Sequence, residues 1–243
     1  MTNQIKKQSK TKWILLAVIA VIIILIGAFY IYTLDYYRAT DDVHQLINSQ
    51  KQRIEVNDKI TVVKPQATND KEIGLIFYPG GKVEAIAYLP LLYQLSQKGI
   101  TCFLTEMPFN LAVFKVDAAE RVFEENPDIN TWFIAGHSLG GAMASNYMKR
   151  NYNKVAGMIL LGAYPINDAN VPTLAIYGSQ DIMLDLTKLE DTENKLEISG
   201  GNHAYFGNYG EQEGDGQASI SREEQQAITV EKMMAFINEE MKY

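Results

Sequence analysis

The chain has 243 residues, 47% of them hydrophobic, and a formal net charge of −7. The acidic balance argues against a nucleic-acid partner, because a net negative charge repels phosphates. A single cysteine, Cys102, lies in an apolar run; it excludes an internal disulfide and a multi-cysteine zinc site, and it reads as a core residue.

Lys6, Lys7, Lys10 and Lys12 precede an uncharged run from Trp13 to Leu34 that is almost wholly aliphatic between Ile14 and Ile26. The run is long enough to cross a bilayer as one helix. Trp13 at one end and Tyr30, Tyr32, Tyr36 and Tyr37 at the other suit the two membrane interfaces. Lysines before the run and Asp35, Asp41 and Asp42 after it predict a cytoplasmic N-terminus (residues 1–12), a signal anchor (13–34) and an extracytoplasmic remainder. A cleaved signal peptide is the rival reading. It is disfavoured by the length of the apolar region and by the bulky residues around Ala28, the one weak cleavage candidate.

Residues 35–52 read as a helical stalk, leaving 53–243 as one folded domain. Ile54, Val56, Ile60 and Val62, with Asn57-Asp58 between them, predict a hairpin. Strands and helices then alternate. Strands are expected over 73–78, 100–105, 131–135, 155–161, 173–177 and 195–198. Helices are expected over 84–98, 117–125, 142–150 and 221–241, the last opened by the capping box Ser221-Arg222-Glu223-Glu224. Apolar β-branched strands separated by helices imply a mostly parallel sheet with helices on both faces. Ligands of such sheets bind beyond the carboxyl ends of the strands. Gly80-Gly81, Met107 to Leu111, Ser138, and the turns after Tyr177 and Ile198 all fall at those ends.

Gly136-His137-Ser138-Leu139-Gly140 sits between a strand and a helix. A G-x-S-x-G there predicts a serine on a strained turn, with glycines where the two backbones nearly touch. A serine nucleophile needs a base, and a carboxylate to orient that base. The sequence offers three histidines. His44 lies in the expected stalk, and His137, next to Ser138, leaves the turn in another direction. His203, in the turn after the last strand, remains as the base. Asp181, in the turn after strand 173–177, is the preferred acid over Asp185, one helical turn deeper, and over Asp168 in the preceding loop. Backbone amides of Leu139 and Gly81 are the expected oxyanion donors, with Lys82 as the neighbouring alternative. Met107, Phe109 and Leu111 are expected to wall an acyl pocket, with ordinary packing against the sheet as the equal alternative. Tyr205, with Phe206 and Tyr209, is placed on the leaving-group side. Glu211, Glu213 and Asp215 lack the spacing of a calcium loop and read as a solvated acidic turn.

Phe77-Tyr78-Pro79-Gly80-Gly81-Lys82-Val83-Glu84, Met107 to Ala112, Gly136 to Gly141, Tyr177 to Asp181 and Gly200-Gly201-Asn202-His203 together resemble an α/β-hydrolase, specifically a small bacterial branch of that superfamily, from about residue 73 onward. The resemblance implies a Ser-Asp-His triad, no cofactor, and hydrolysis of an ester or related acyl bond in a small-molecule substrate. Many esterases of the superfamily carry His-Gly in the oxyanion turn; here Pro79-Gly80 stands there, which keeps the backbone role and weakens inference about substrate. The short segment between Ser138 and Asp181 leaves no room for a large lid. The same triad would serve acyl transfer or cleavage of an amide or carbon–carbon bond. A binding module on the same fold is the non-enzymatic alternative.

Overall fold

The computed structural model describes the backbone of residues 2–66, 73–166 and 170–242, with side chains from residue 12 onward. Asp168 and the side chains of Lys6, Lys7 and Lys10 lie outside the described residues. The chain divides into two compact units, Met1–Tyr36 and Tyr37–Tyr243.

The first unit is the helix α1, Thr2–Leu34. Within it Lys12–Leu34, 23 residues containing an 18-residue window of mean hydropathy 3.2, is long and apolar enough to cross a membrane. At 1.5 Å per residue it reaches about 34 Å, against a hydrocarbon core of roughly 30 Å. A membrane anchor and a signal sequence share that signature.

The second unit opens with α2 (Asp41–Ser49) and the short hairpin β1 (Ile54–Glu55) and β2 (Ile60–Val63). The expected stalk is therefore corrected: from Tyr37 on, residues 35–52 belong to the folded unit. Val43 is fully buried, with Leu46 and Ile47 packed beside it on the same core. An amphipathic helix at this length is unstable without such a partner surface.

Strands β3 (Ile73–Tyr78), β4 (Ile100–Thr105), β5 (Thr131–His137), β6 (Gly157–Leu161), β7 (Thr173–Gly178) and β8 (Lys195–Ile198) follow. Among the described residues the sheet has the order β1-β2-β4-β3-β5-β6-β7-β8. Pairings from β4 to β8 are parallel, and β1 and β2 add an antiparallel edge. The helices are α3 (Leu89–Ser96), α4 (Ala118–Glu125), α5 (Leu139–Asn151) and α6 (Arg222–Glu240). The helix expected over 84–98 is split: a 3-10 turn at Ala85–Tyr88 precedes α3, and Pro90 opens α3 where a missing N–H costs nothing.

Alternation along the strands sorts the core into two layers. Leu75 and Phe77 face α2, α3 and α6, meeting Tyr88, Leu92 and Met233. Ile76 and Tyr78 face α4 and α5, meeting Ala119, Ala144 and Met148. Cys102 is fully buried, and burial pushes its thiol pKa up, so it stays protonated. The chain runs from β3 to β4 on one side and then crosses to β5 on the other. That reversal opens a crevice at the carboxyl ends of β3, β4 and β5.

Val43→Ala discriminates core from stalk. As a core residue Val43 is expected to contribute about 1–3 kcal/mol in denaturant unfolding; a solvated stalk position would change stability by less than about 0.5 kcal/mol.

Candidate active site

Ser138 stands between β5 and α5 with φ 51° and ψ −122°, outside the regions that a side-chain-bearing residue ordinarily adopts. Such a conformation costs on the order of 1–3 kcal/mol and persists only when its surroundings enforce it. They do. The Ser138 N–H donates to the Leu161 carbonyl at 2.9 Å, and the Ser138 carbonyl accepts from Ala142 N–H at 3.0 Å. One bond continues the sheet and the other starts the helix. A Cβ on Gly140 would lie 2.2 Å from the Tyr78 carbonyl oxygen, and one on Gly136 would lie 2.6 Å from the Gly140 carbonyl carbon. Only bare backbone lets β3, β5 and α5 converge there.

Asp181 leaves the turn after β7, and His203 the turn after β8. His203 Nδ1 lies 2.8 Å from Asp181 Oδ2. Both side chains are buried. Asp181 Oδ1 is held separately by the N–H groups of Met183 (3.0 Å) and Leu184 (3.1 Å). Nδ1–H donation to the carboxylate leaves His203 Nε2 as the ring's acceptor. That Nε2 is buried and has no hydrogen-bond partner among the described residues. Ser138 is therefore not hydrogen-bonded to it in this state; such bonds commonly tighten only around substrate. Asp185 does not reach His203. It caps the 3-10 turn Leu186–Leu189, accepting from Thr187 N–H and Oγ1–H, and the Thr187 hydrogen bonds hold its carboxyl below the usual range.

The His203 turn is fixed by residues that the sequence did not single out. Gly162, just after β6, has φ +50°, and a Cβ there would sit 2.9 Å from His203 Nδ1 and 3.2 Å from Asp181 Oδ2. Asn202 is fully buried: its N–H donates to Gln225 Oε1 (2.9 Å), its carbonyl accepts from Gln225 Nε2 (2.8 Å), and its Nδ2 donates to the Gly216 carbonyl (2.9 Å). Asp215 accepts from the N–H groups of His203 (3.2 Å), Ala204 (2.8 Å) and Gly216 (2.8 Å). Reading Glu211, Glu213 and Asp215 as a solvated turn is thus corrected for Asp215, whose carboxylate closes the loop carrying His203. Among the described residues no group of three or more His, Cys, Asp or Glu is placed to hold a metal ion.

His137 is buried under the site, its ring centroid 4.5 Å from that of His203. Its Nδ1 lies 2.7 Å from Tyr88 Oη, which itself accepts from Gly80 N–H at 3.1 Å. Burial raises the Tyr88 pKa and keeps its hydroxyl a donor. Burial first, and the neighbouring His203 second, hold His137 well below the usual histidine range, so it is neutral. The Gly80 amide is thereby occupied. So is that of Lys82, which donates to the Asn110 carbonyl at 2.8 Å. Gly81, between them, packs against Leu139: a Cβ on it would be 2.8 Å from Leu139 Cδ2. The structure thus brings Gly81, Leu139 and Ser138 together, and commits the Lys82 amide elsewhere.

Met107 belongs to the core layer under α4 and lines a cavity of about 380 Å³ with Ile60, Glu106 and Pro108. Leu111 is at the margin of burial, and Phe109 is exposed. Tyr205 packs on Arg222, whose guanidinium carbon is 4.5 Å from the ring centre, and its hydroxyl donates to Glu211 at 3.1 Å.

The sequence matches the alpha/beta hydrolase family over residues 74–227. The chain belongs to that family. A search of curated proteins gave no match. Among solved structures, Est1E from Butyrivibrio proteoclasticus aligns with a TM-score of 0.57 at 13% identity, covering 76% of this chain and 98% of its own. A bacterial membrane phospholipase A aligns with a TM-score of 0.56 at 13% identity, covering 96% and 100%. A serine hydrolase without a lid from Xanthomonas campestris gives 0.52 at 14% identity, covering 74% and 88%. At these identities the likeness establishes the fold. In this chain the connection from β6 to β7 has no helix among its described residues.

Two outcomes follow from the geometry. Gly162→Ala should leave far-UV circular dichroism unchanged and, on an ester-cleaving reading of the site, lower ester kcat/KM by about 10²-fold, because the added methyl displaces the Asp181–His203 pair. Glu106, just past β4, has its pKa raised to about 7, by burial first and then by the Glu84 and Asp58 carboxylates. The folded state therefore holds a proton that the unfolded chain releases near pH 4.5, and stability falls as pH rises from there through 7. Glu106→Gln should stabilise the protein by on the order of 2 kcal/mol at pH 8 and by almost nothing at pH 4.5, read from urea unfolding at both pH values.

Proposed function

We propose that this α/β-hydrolase is a membrane-anchored serine hydrolase that cleaves an ester, or a related acyl bond, through an acyl-enzyme. The observation that carries the reading is the buried His203–Asp181 pair, 2.8 Å apart, at the same sheet edge as the strained Ser138 turn. Ser138 Oγ attacks the acyl carbonyl while His203 Nε2 takes its proton. Asp181 keeps the ring in the required tautomer and steadies the imidazolium. The N–H groups of Gly81 and Leu139 meet the developing oxyanion, helped by the positive end of α5. His203 returns the proton to the leaving alkoxide, then takes one from the water that attacks the acyl-enzyme. The water oxygen bonds to the acyl carbon, the bond to Ser138 Oγ breaks, His203 returns the proton to Oγ, and the acid leaves.

Support for the acyl chemistry comes from neighbours of the same fold described as a membrane phospholipase A and as a serine hydrolase. Support for anchoring comes from the 23-residue apolar helix segment with lysines before it and aspartates after it. On this reading residues 1–12 are cytoplasmic and the folded unit extracytoplasmic.

A membrane-impermeant fluorophosphonate probe applied to intact cells tests nucleophile and topology together. The wild-type protein should be labelled, and Ser138→Ala should not be. His203→Ala should lower turnover of p-nitrophenyl butyrate by at least about 10³-fold. Labelling that survives Ser138→Ala would overturn the nucleophile, and labelling only after lysis would overturn the topology.

A further inference from the structure

Where the tether joins the folded unit is informative. Leu34 ends α1, and Tyr37 is already bound within the domain. Three residue steps span at most about 11 Å. The Tyr37 N–H donates to the Lys82 carbonyl at 2.8 Å, and Glu84 N–H donates to the Tyr37 carbonyl at 2.9 Å. The Tyr37 hydroxyl accepts from Glu213 N–H at 3.0 Å, and its ring lies on Tyr209 with centroids 5.7 Å apart. Lys82 and Glu84 are the turn after β3, next to Gly81. The chain therefore enters the domain at the carboxyl edge of the sheet, the edge that carries Ser138.

That edge is also where large apolar side chains reach solvent. Phe109, Val113 and Phe114 lie on the loop after β4, and Phe109 and Phe114 meet edge to face at 5.6 Å. Ile182, Met183 and Leu186 lie on the turn after β7; Ile182 is 72% exposed, the most open of the six. The two groups flank Ser138, which follows β5, on either side in the strand order. Both are tied to the site. Asn110 receives the Lys82 N–H, and Asp181 receives the N–H of Met183. Charged groups such as the Lys115–Asp117 pair stand beside the apolar residues, as on surfaces that sit at a bilayer boundary. Exposed apolar clusters of this kind mark interaction surfaces.

We propose that the carboxyl edge of the sheet is seated on a lipid bilayer, its two apolar turns inserted at the headgroup boundary, and that the site draws its ester from a lipid in that bilayer. Continuity of chain selects the occupant: a membrane-spanning α1 delivers this edge to within three residues of the bilayer. The lipid-substrate half rests on Ser138 being the nucleophile; the docking half does not.

The test uses the full chain in phosphatidylcholine nanodiscs. Cys102 is buried, so an introduced cysteine is the reactive thiol. Val113→Cys, Ile182→Cys and, as a control on the far end of α5, Tyr152→Cys each receive a nitrobenzoxadiazole label. Lipids with a nitroxide near the headgroup should quench the labels at 113 and 182 by about half or more and leave that at 152 unchanged. Quenching at 113 and 182 no greater than at 152 overturns docking. Shielding from water without lipid quenching assigns the surface to a second copy and also overturns it. Ile182→Ser combined with Leu186→Ser should keep p-nitrophenyl butyrate turnover within about twofold while slowing release of fatty acid from dioleoylglycerol in the disc by about tenfold. Equal loss on both esters overturns the lipid-substrate half. Quenching without turnover of either ester by the wild type upholds docking and overturns the hydrolase reading.

Discussion

Three backbones meet at one point. The carbonyls of Tyr78, which ends β3, and of Pro79 just after it, the end of β5 and the first turn of α5 approach so closely that neither Gly136 nor Gly140 has room for a methyl group. This contact forces Ser138 into a positive φ and lifts it out of the sheet. Strain at one residue is stable here because the ladder on one side and the helix on the other both continue through it. The same contact seats Leu139 against Gly81. The serine and the two amides proposed to serve it are thus positioned by a single packing event.

The other half of the site depends on long-range polar closure. Asp181 and His203 come from the last two turns of the sheet, and α6 fixes them from outside through Gln225, a fully buried amide with both ends satisfied by Asn202. Unpaired, such a group would cost about 1–3 kcal/mol; paired, it pins the turn that carries His203. Asp215 gathers three amides of the same neighbourhood, and Gly162 leaves the space into which the Asp181–His203 pair fits. Beneath, burial keeps His137 neutral, and Tyr88 Oη holds its Nδ1. A second imidazolium beside His203 would oppose its protonation, so a neutral His137 suits the role of base proposed for His203.

Local signals made the alternating strands, the G-x-S-x-G turn and the helix opened by Ser221 legible in the sequence, since each is written within a few consecutive residues. His203 was reachable because only three histidines existed and two stood in unsuitable places. Asp181 over Asp185 followed from register at the end of a strand. What stayed hidden depends on partners far apart in the chain. Asp215 looked like part of an acidic turn, because nothing near it shows that the amides of His203 and Ala204 fold back onto it. Gly162 and Tyr88 carry no motif. The apolar face of α2 was visible, but a sequence does not show which surface covers Val43, so the helix read as a stalk.

Burst kinetics with intact-protein mass spectrometry test the central claim, that Ser138 carries the acyl group, most directly. Mixing the protein with excess p-nitrophenyl ester and quenching within the first turnover should give about one equivalent of p-nitrophenol per protein and one acyl group, mapped to the peptide containing Ser138. An acyl group on any other residue, or turnover that Ser138→Ala leaves intact, would contradict it.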